Sequence, residues 1–171
     1  LPAFEELVKK YQREIYGLAC RMVSDPEEAK DLAQQAFLQA FINIRSFRQD
    51  AQFKTWLFRI ATHLALNWIR DGRNEKLQES LDQESSDGPV RQVATGEPSI
   101  EQRLLREARL REVRQAIDAL PHKQRAAVLM HKYEEMEYSQ IAKVLGCSES
   151  AVKSLLFRAY ETLRARLAHL V

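Results

Sequence analysis

The chain has 171 residues, with 26 Lys and Arg against 24 Asp and Glu, and it is 45% apolar and 8% aromatic. That balance excludes fibrous and broadly disordered proteins and fits one or two small globular domains. No uncharged stretch reaches the ~18 residues of a membrane-spanning helix; the longest runs only from Leu32 to Ile44, so a cytoplasmic chain is expected, and Leu1 without a preceding Met suggests a trimmed start.

In chain order, Phe4 to Val23 reads as a first helix. The second, Pro26 to Ile44, repeats apolar residues at Ala29, Leu32, Ala33, Ala36, Phe37, Ala40, Phe41 and Ile44, a 3.6-residue stripe that no strand keeps on one side. Ser24 or Asp25 caps it, with Pro26 at its first position and Glu27 and Glu28 suited to the dipole. Opposite the stripe lie Asp31, Gln34, Gln35, Leu38 and Ile42. Two large apolar residues turned away from a complete core stripe suggest a partner surface, although isolated exposed Leu and Ile also occur without one.

Between 45 and 70 the chain interleaves Arg45, Phe47, Arg48, Phe53, Lys54, Trp56 and Arg59. Single-stranded nucleic acid is bound this way, with cations along the backbone and rings stacked on bases. A third helix, 55–70, would set Thr55, Trp56, Arg59, Thr62, His63, Asn67 and Arg70 on one side. The plainer alternative is that Phe47, Phe53 and Trp56 close a small core over a loop.

Residues 71–99 hold seven acidic and three basic residues, no aromatic, and three of the five glycines. So little apolar surface cannot offset ordering entropy, and the stretch is read as a flexible acidic linker. Beyond it, helices are predicted near 100–119, 122–133, 138–145 and 149–169, punctuated by Pro121 and Gly146. No segment sustains a period of two. The fold class is therefore all-α: a three-to-four-helix bundle in 1–70, the linker, and a second helical domain in 100–171.

Within that second domain, Tyr138 to Phe157 fits a helix-turn-helix position by position. Ala142 is small where the helices approach, Gly146 sits where the turn needs a positive φ, and Ile141, Leu145, Val152 and Leu156 supply apolar contacts. Ser148 caps the second helix, whose outer face carries Ser150, Lys153, Ser154, Phe157 and Arg158. That face suits a DNA major groove. Cys20 and Cys147 match no metal-ligand spacing and are read as reduced thiols. His63, His122, His131 and His169 form no HExxH pair, and neither a nucleophile motif nor a phosphate-cradling glycine loop accompanies them. No enzyme, cofactor, metal or small-molecule substrate is expected. A stand-alone helix-turn-helix regulator of duplex DNA is the rival reading, and it leaves 45–70 unexplained.

The same features, in the same order, resemble the extracytoplasmic-function (ECF) sigma factors of the sigma-70 family over nearly the whole chain. Asp31-Leu32-Ala33-Gln34-Gln35-Ala36-Phe37 is similar to that family's polymerase-clamp helix. Ser46-Phe47-Arg48 and Phe53-Lys54-Thr55-Trp56-Leu57-Phe58-Arg59-Ile60-Ala61 resemble its segment for recognising and melting the -10 element, and Leu120-Pro121, Arg125 and the helix-turn-helix resemble its -35-reading domain. The resemblance implies a sigma factor that binds core RNA polymerase through Asp31, Gln34, Gln35, Leu38 and Ile42. It implies -10 contacts at Arg48, Phe53, Lys54, Trp56, Arg59, His63, Asn67 and Arg70, and -35 contacts at Ser150, Lys153, Ser154, Phe157 and Arg158. Its partners would be core polymerase, promoter DNA and an anti-sigma factor, which in many relatives is tethered to the membrane.

Overall fold

A computed structural model describes residues 2–47, 52–79 and 99–170, with side chains through Gly72 in the middle segment. Arg48 and the stretch 80–98, which holds most of the expected linker, lie outside the described residues. The described residues are helical, without a strand: α1 (Pro2–Val23), α2 (Pro26–Ile42), α3 (Phe53–Glu79), α4 (Ile100–Asp118), α5 (His122–Lys132), α6 (Tyr138–Leu145) and α7 (Glu149–Arg166), with short 3-10 turns at Ile44–Ser46 and Ala168–Leu170.

Helices α1, α2 and α3 pack pairwise into a bundle. The small residues Ala29, Ala33, Ala36 and Ala40 are all buried, so α2 lies close against its neighbours, which contribute Ile15, Leu18 and Met22 from α1 and Leu57, Phe58 and Ala61 from α3. Asp25 is the cap of α2, its carboxylate accepting from the backbone N–H groups of Glu27 at 3.1 Å and Glu28 at 3.5 Å. Ser24 instead takes the left-handed φ of 57° that turns the chain between α1 and α2. Phe41, expected in the core stripe, is 48% exposed and rests one ring edge on Phe4 at 5.2 Å; at the last turn of α2 the core has already narrowed.

Helix α3 departs from the sequence reading in two ways. It runs on from Asp71 to Glu79, where the good helix formers Arg73, Glu75, Lys76, Leu77, Gln78 and Glu79 outnumber the weak ones Asp71, Gly72 and Asn74. In addition, Thr55 and Thr62, expected on its polar face, are buried, because a second layer of helices covers the side of α3 that a lone bundle would leave to water.

That second layer is α5, α6 and α7. Ala126 to Met130, Ile141, Val144, Val152, Leu156 and Ala159 are buried there, and they belong to one apolar cluster with the α1–α3 core. Helix α6 packs on α3, and α5 on α1. The two halves, expected as two helical domains joined by a linker, pack on one another through this cluster.

Candidate nucleic-acid interface

The helix-turn-helix is built as its residues dictate. Gly146 ends α6 at φ 68° and ψ 38°, the left-handed conformation that costs an L side chain ~1 to 2 kcal/mol. Cys147 then returns its N–H to the Ala142 carbonyl at 3.1 Å, and the Ser148 hydroxyl accepts from the Ala151 N–H at 3.1 Å to start α7. With Val152 and Leu156 buried, Ser150, Lys153, Ser154, Phe157 and Arg158 all stand exposed on the other side. Phe157 is 64% exposed. Lys153 lies one helical turn before it and Arg158 next to it, so the exposed face carries two cations beside an aromatic ring.

A side chain that the sequence reading passed over, Tyr160, ties α7 to α5. The Tyr160 hydroxyl lies 2.7 Å from His131 Nδ1 on α5, and Tyr138 packs its ring on His131 at 5.6 Å. Burial, and then the neighbouring Tyr138, push the Tyr160 hydroxyl up to about 12, so it remains a neutral anchor throughout the physiological range. The Tyr160 position is visible in the sequence only as one more partly apolar residue on the inner side of α7.

On α3 the expected -10 residues divide into three groups. Phe53 and Trp56 are half-buried and form an aromatic cluster with Phe47, their centroids 5.2 to 5.7 Å apart; Tyr11 adds a fourth ring at 5.8 Å. These rings do close a small core, yet none is fully buried. Arg59, Asn67 and Arg70 are exposed along one side of the helix, with Arg70 paired to Asp71 at 3.3 Å. Lys54 and His63 form the third group, and both meet the second half of the chain. Lys54 Nζ lies 3.5 Å from Glu14 and 3.8 Å from Glu134, and His63 bonds the backbone of Val144. Burial and the Arg59 charge lower the His63 pKa, against the pull of the Val144 contact. Burial and the nearby Glu14 raise the Glu134 carboxyl, against Lys54 and Arg21.

The strip on α2 is placed as its spacing requires. Asp31, Gln34 and Gln35 are exposed, Leu38 and Ile42 are 59% and 66% exposed, and Phe41 extends the strip. Three neighbouring apolar side chains are thus left in water at one end of a helix whose other side is a finished core. Among the described residues no cluster of His, Cys, Asp and Glu could hold a metal, both cysteines are free, and no helix is long and apolar enough to cross a membrane.

Comparison with known proteins assigns the two halves separately. Residues 7–75 match the family model for Sigma-70 region 2, and residues 110–163 that for Sigma-70, region 4. The RNA polymerase sigma-H factor of Pseudomonas aeruginosa is 35% identical over 174 residues, covering 99% of this chain and 88% of that protein. The ECF RNA polymerase sigma factor SigW of Bacillus subtilis is 33% identical over 172 residues, covering 98% of this chain and 90% of that protein. Among solved structures, the sigma factor RpoE in complex with the anti-sigma factor NepR from Bartonella quintana shares the fold with a TM-score of 0.78, at 22% identity and 98% coverage of each chain.

Proposed function

The chain belongs to the ECF sigma factors of the sigma-70 family, and from that premise we propose which of its residues do the work. It is a sigma factor, binding core RNA polymerase and directing initiation at promoters, and its partners include an anti-sigma factor. The observation that carries the residue assignment is the coexistence in one chain of an exposed recognition face on α7 and an aromatic and cationic helix α3.

In this reading 1–70 forms the polymerase-binding and -10 domain, 71–99 the linker and 100–171 the -35 domain. Lys153, Ser154 and Arg158 enter the -35 major groove, with Ser150 and Phe157 at the margin. Arg or Lys facing a guanine edge discriminates by ~1 to 3 kcal/mol. Extruding a base from duplex costs a few kcal/mol, which a ring to stack on offsets. Phe53 meets an unstacked non-template -10 base at the start of α3, and Trp56 wedges at its upstream edge. Asn67, ~21 Å farther along the helix, meets the strand at a separate nucleotide, and Arg48, Lys54, Arg59 and Arg70 hold phosphates around His63. The strip Asp31, Gln34, Gln35, Leu38 and Ile42 docks on the polymerase clamp. The chain acts in the cytoplasm and performs no chemistry of its own.

The test is stable association with purified core polymerase on gel filtration, followed by retention of promoter DNA from a genomic fragment library. Recovered fragments should share two short sequence blocks. Failure of the chain to associate with core overturns the sigma-factor reading.

A further inference from the structure

Two concave sites lie side by side along α7, with Tyr160 and Arg164 bordering both. The larger, of 720 Å³, is lined by Lys153, Ser154, Phe157 and Arg158 and so belongs to the DNA face. The smaller, of 570 Å³, is lined by Lys132 of α5, by Tyr160, Leu163 and Arg164 of α7, and by Leu167 and Ala168 just beyond it. None of these six residues is in any proposed contact set. Its volume is that of a site for a small molecule.

The walls of the smaller pocket are fastened from outside. The Tyr160 hydroxyl is committed to His131 Nδ1 at 2.7 Å, so the ring is what Tyr160 offers the pocket. Past α7 the chain turns through Ala168–Leu170, and His169 Nε2 meets Glu112 Oε2 of α4 at 2.6 Å. Helix ends otherwise fray, and this contact keeps Leu167 and Ala168 in place as a wall.

The lining is chemically lopsided. Leu163, Leu167, Ala168 and the Tyr160 ring are apolar, and no carboxylate or amide side chain joins them. Lys132 and Arg164 are exposed, and among the described residues neither is ion-paired. Lys132 Nζ stands 5.6 Å from the Tyr160 ring centroid. A nucleotide or sugar finds nothing here to meet its polar edges, and inorganic phosphate leaves the apolar walls unused. A molecule with one anionic head and one apolar tail uses both. The guanidinium fork takes a carboxylate bidentately, and the ammonium adds a point charge. Tyr160 and Leu167 lie ~10.5 Å apart along the helix axis, the reach of a medium-chain alkyl group.

We propose that this pocket binds a medium-chain alkyl carboxylate, with its head between Lys132 and Arg164 and its tail along Leu163 and Leu167. The experiment is calorimetric titration of the full chain with octanoate, decanoate and dodecanoate, each below its micelle concentration. Binding should saturate at one molecule per chain and tighten about fourfold for each added methylene. Decyltrimethylammonium, a cation on the same tail, should bind far more weakly. Lys132→Gln with Arg164→Gln, both at exposed positions, should weaken decanoate binding by about tenfold or more, as loss of charge-assisted hydrogen bonds does. No saturable binding, equal binding of decyltrimethylammonium, or unchanged decanoate affinity in the double variant each overturns the proposal. Phosphatidylglycerol vesicles separate the two sources of such an anion: retention on vesicles without binding of free decanoate assigns both cations to a lipid surface and overturns the pocket. If the double variant loses helicity, nuclear magnetic resonance of the parent chain decides. Amide shifts at Leu163, Leu167 and Ala168 on adding decanoate uphold the site, and their absence overturns it.

Discussion

Lys153 and Arg158 illustrate how far one side chain's role follows from its position. Both are exposed on α7 beside Phe157, and whether each reads a base or a phosphate is separable by experiment. An Arg158→Ala change at a base edge should flatten the preference at one -35 position by ~1 to 3 kcal/mol, whereas loss of a phosphate contact weakens all sequences alike and lowers the salt slope; competition binding with single-base -35 variants distinguishes them. Tyr160→Phe removes the hydroxyl that meets His131 at 2.7 Å and should cost about 1 kcal/mol in thermal unfolding. Trp56 is half-buried among Phe47 and Phe53, so its test is differential: Trp56→Ala should slow initiation on linear promoter far more than on a pre-opened bubble. Equal loss on both assigns Trp56 to the fold. The outward placement of Lys153 and Arg158 was legible in the sequence because helical spacing alone sets which side they occupy. The burial of Arg125 was not, because a cation on a predicted helix gives no sign that the carbonyls of Met22 and Asp118 converge on it.

Among the elements, the helix-turn-helix was the most legible, since its turn, cap and close approach are local and each demands a residue type. Nothing lies within 4 Å of a Cβ built on Gly146, so its φ of 68° is the whole constraint. Gly146→Ala should therefore cost ~1 to 2 kcal/mol, read as a lower melting temperature with an unchanged folded-state spectrum. Helix α2 presents the opposite case, an apolar strip that does nothing for its own fold. Leu38→Ser with Ile42→Ser should weaken core polymerase association by tenfold or more, given ~1.5 to 3 kcal/mol per fully buried side chain, and leave thermal stability nearly unchanged. Unfolding of the double variant would make the strip core. The far end of α3 and the burial of Thr55 and Thr62 escaped the sequence because periodicity reports that a face is covered only when its residues are apolar.

For the molecule as a whole, the shared core was illegible because each half, read alone, has a complete amphipathic pattern, and the seam borrows residues from both. Its electrostatics carry a pH signature. Burial raises the Glu134 and Asp118 carboxyls, so their contribution to stability is present below their unfolded pKa values and lost as pH rises through the folded ones. His63, lowered by burial, contributes above its unfolded value and loses that as pH falls through its folded one. Glu134→Gln should accordingly raise the melting temperature at pH 8, with the gain shrinking toward pH 4.5; a lower melting temperature at pH 8 would show that Lys54 and Arg21 outweigh burial. A sigma factor gives core polymerase its choice of promoter, and in vitro transcription of genomic DNA by purified core polymerase with and without this chain, with every RNA 5′ end mapped, measures that choice. Discrete starts should appear only with the chain, each preceded by the same two sequence blocks; the same scattered ends with and without it would mean that the chain directs no promoter choice.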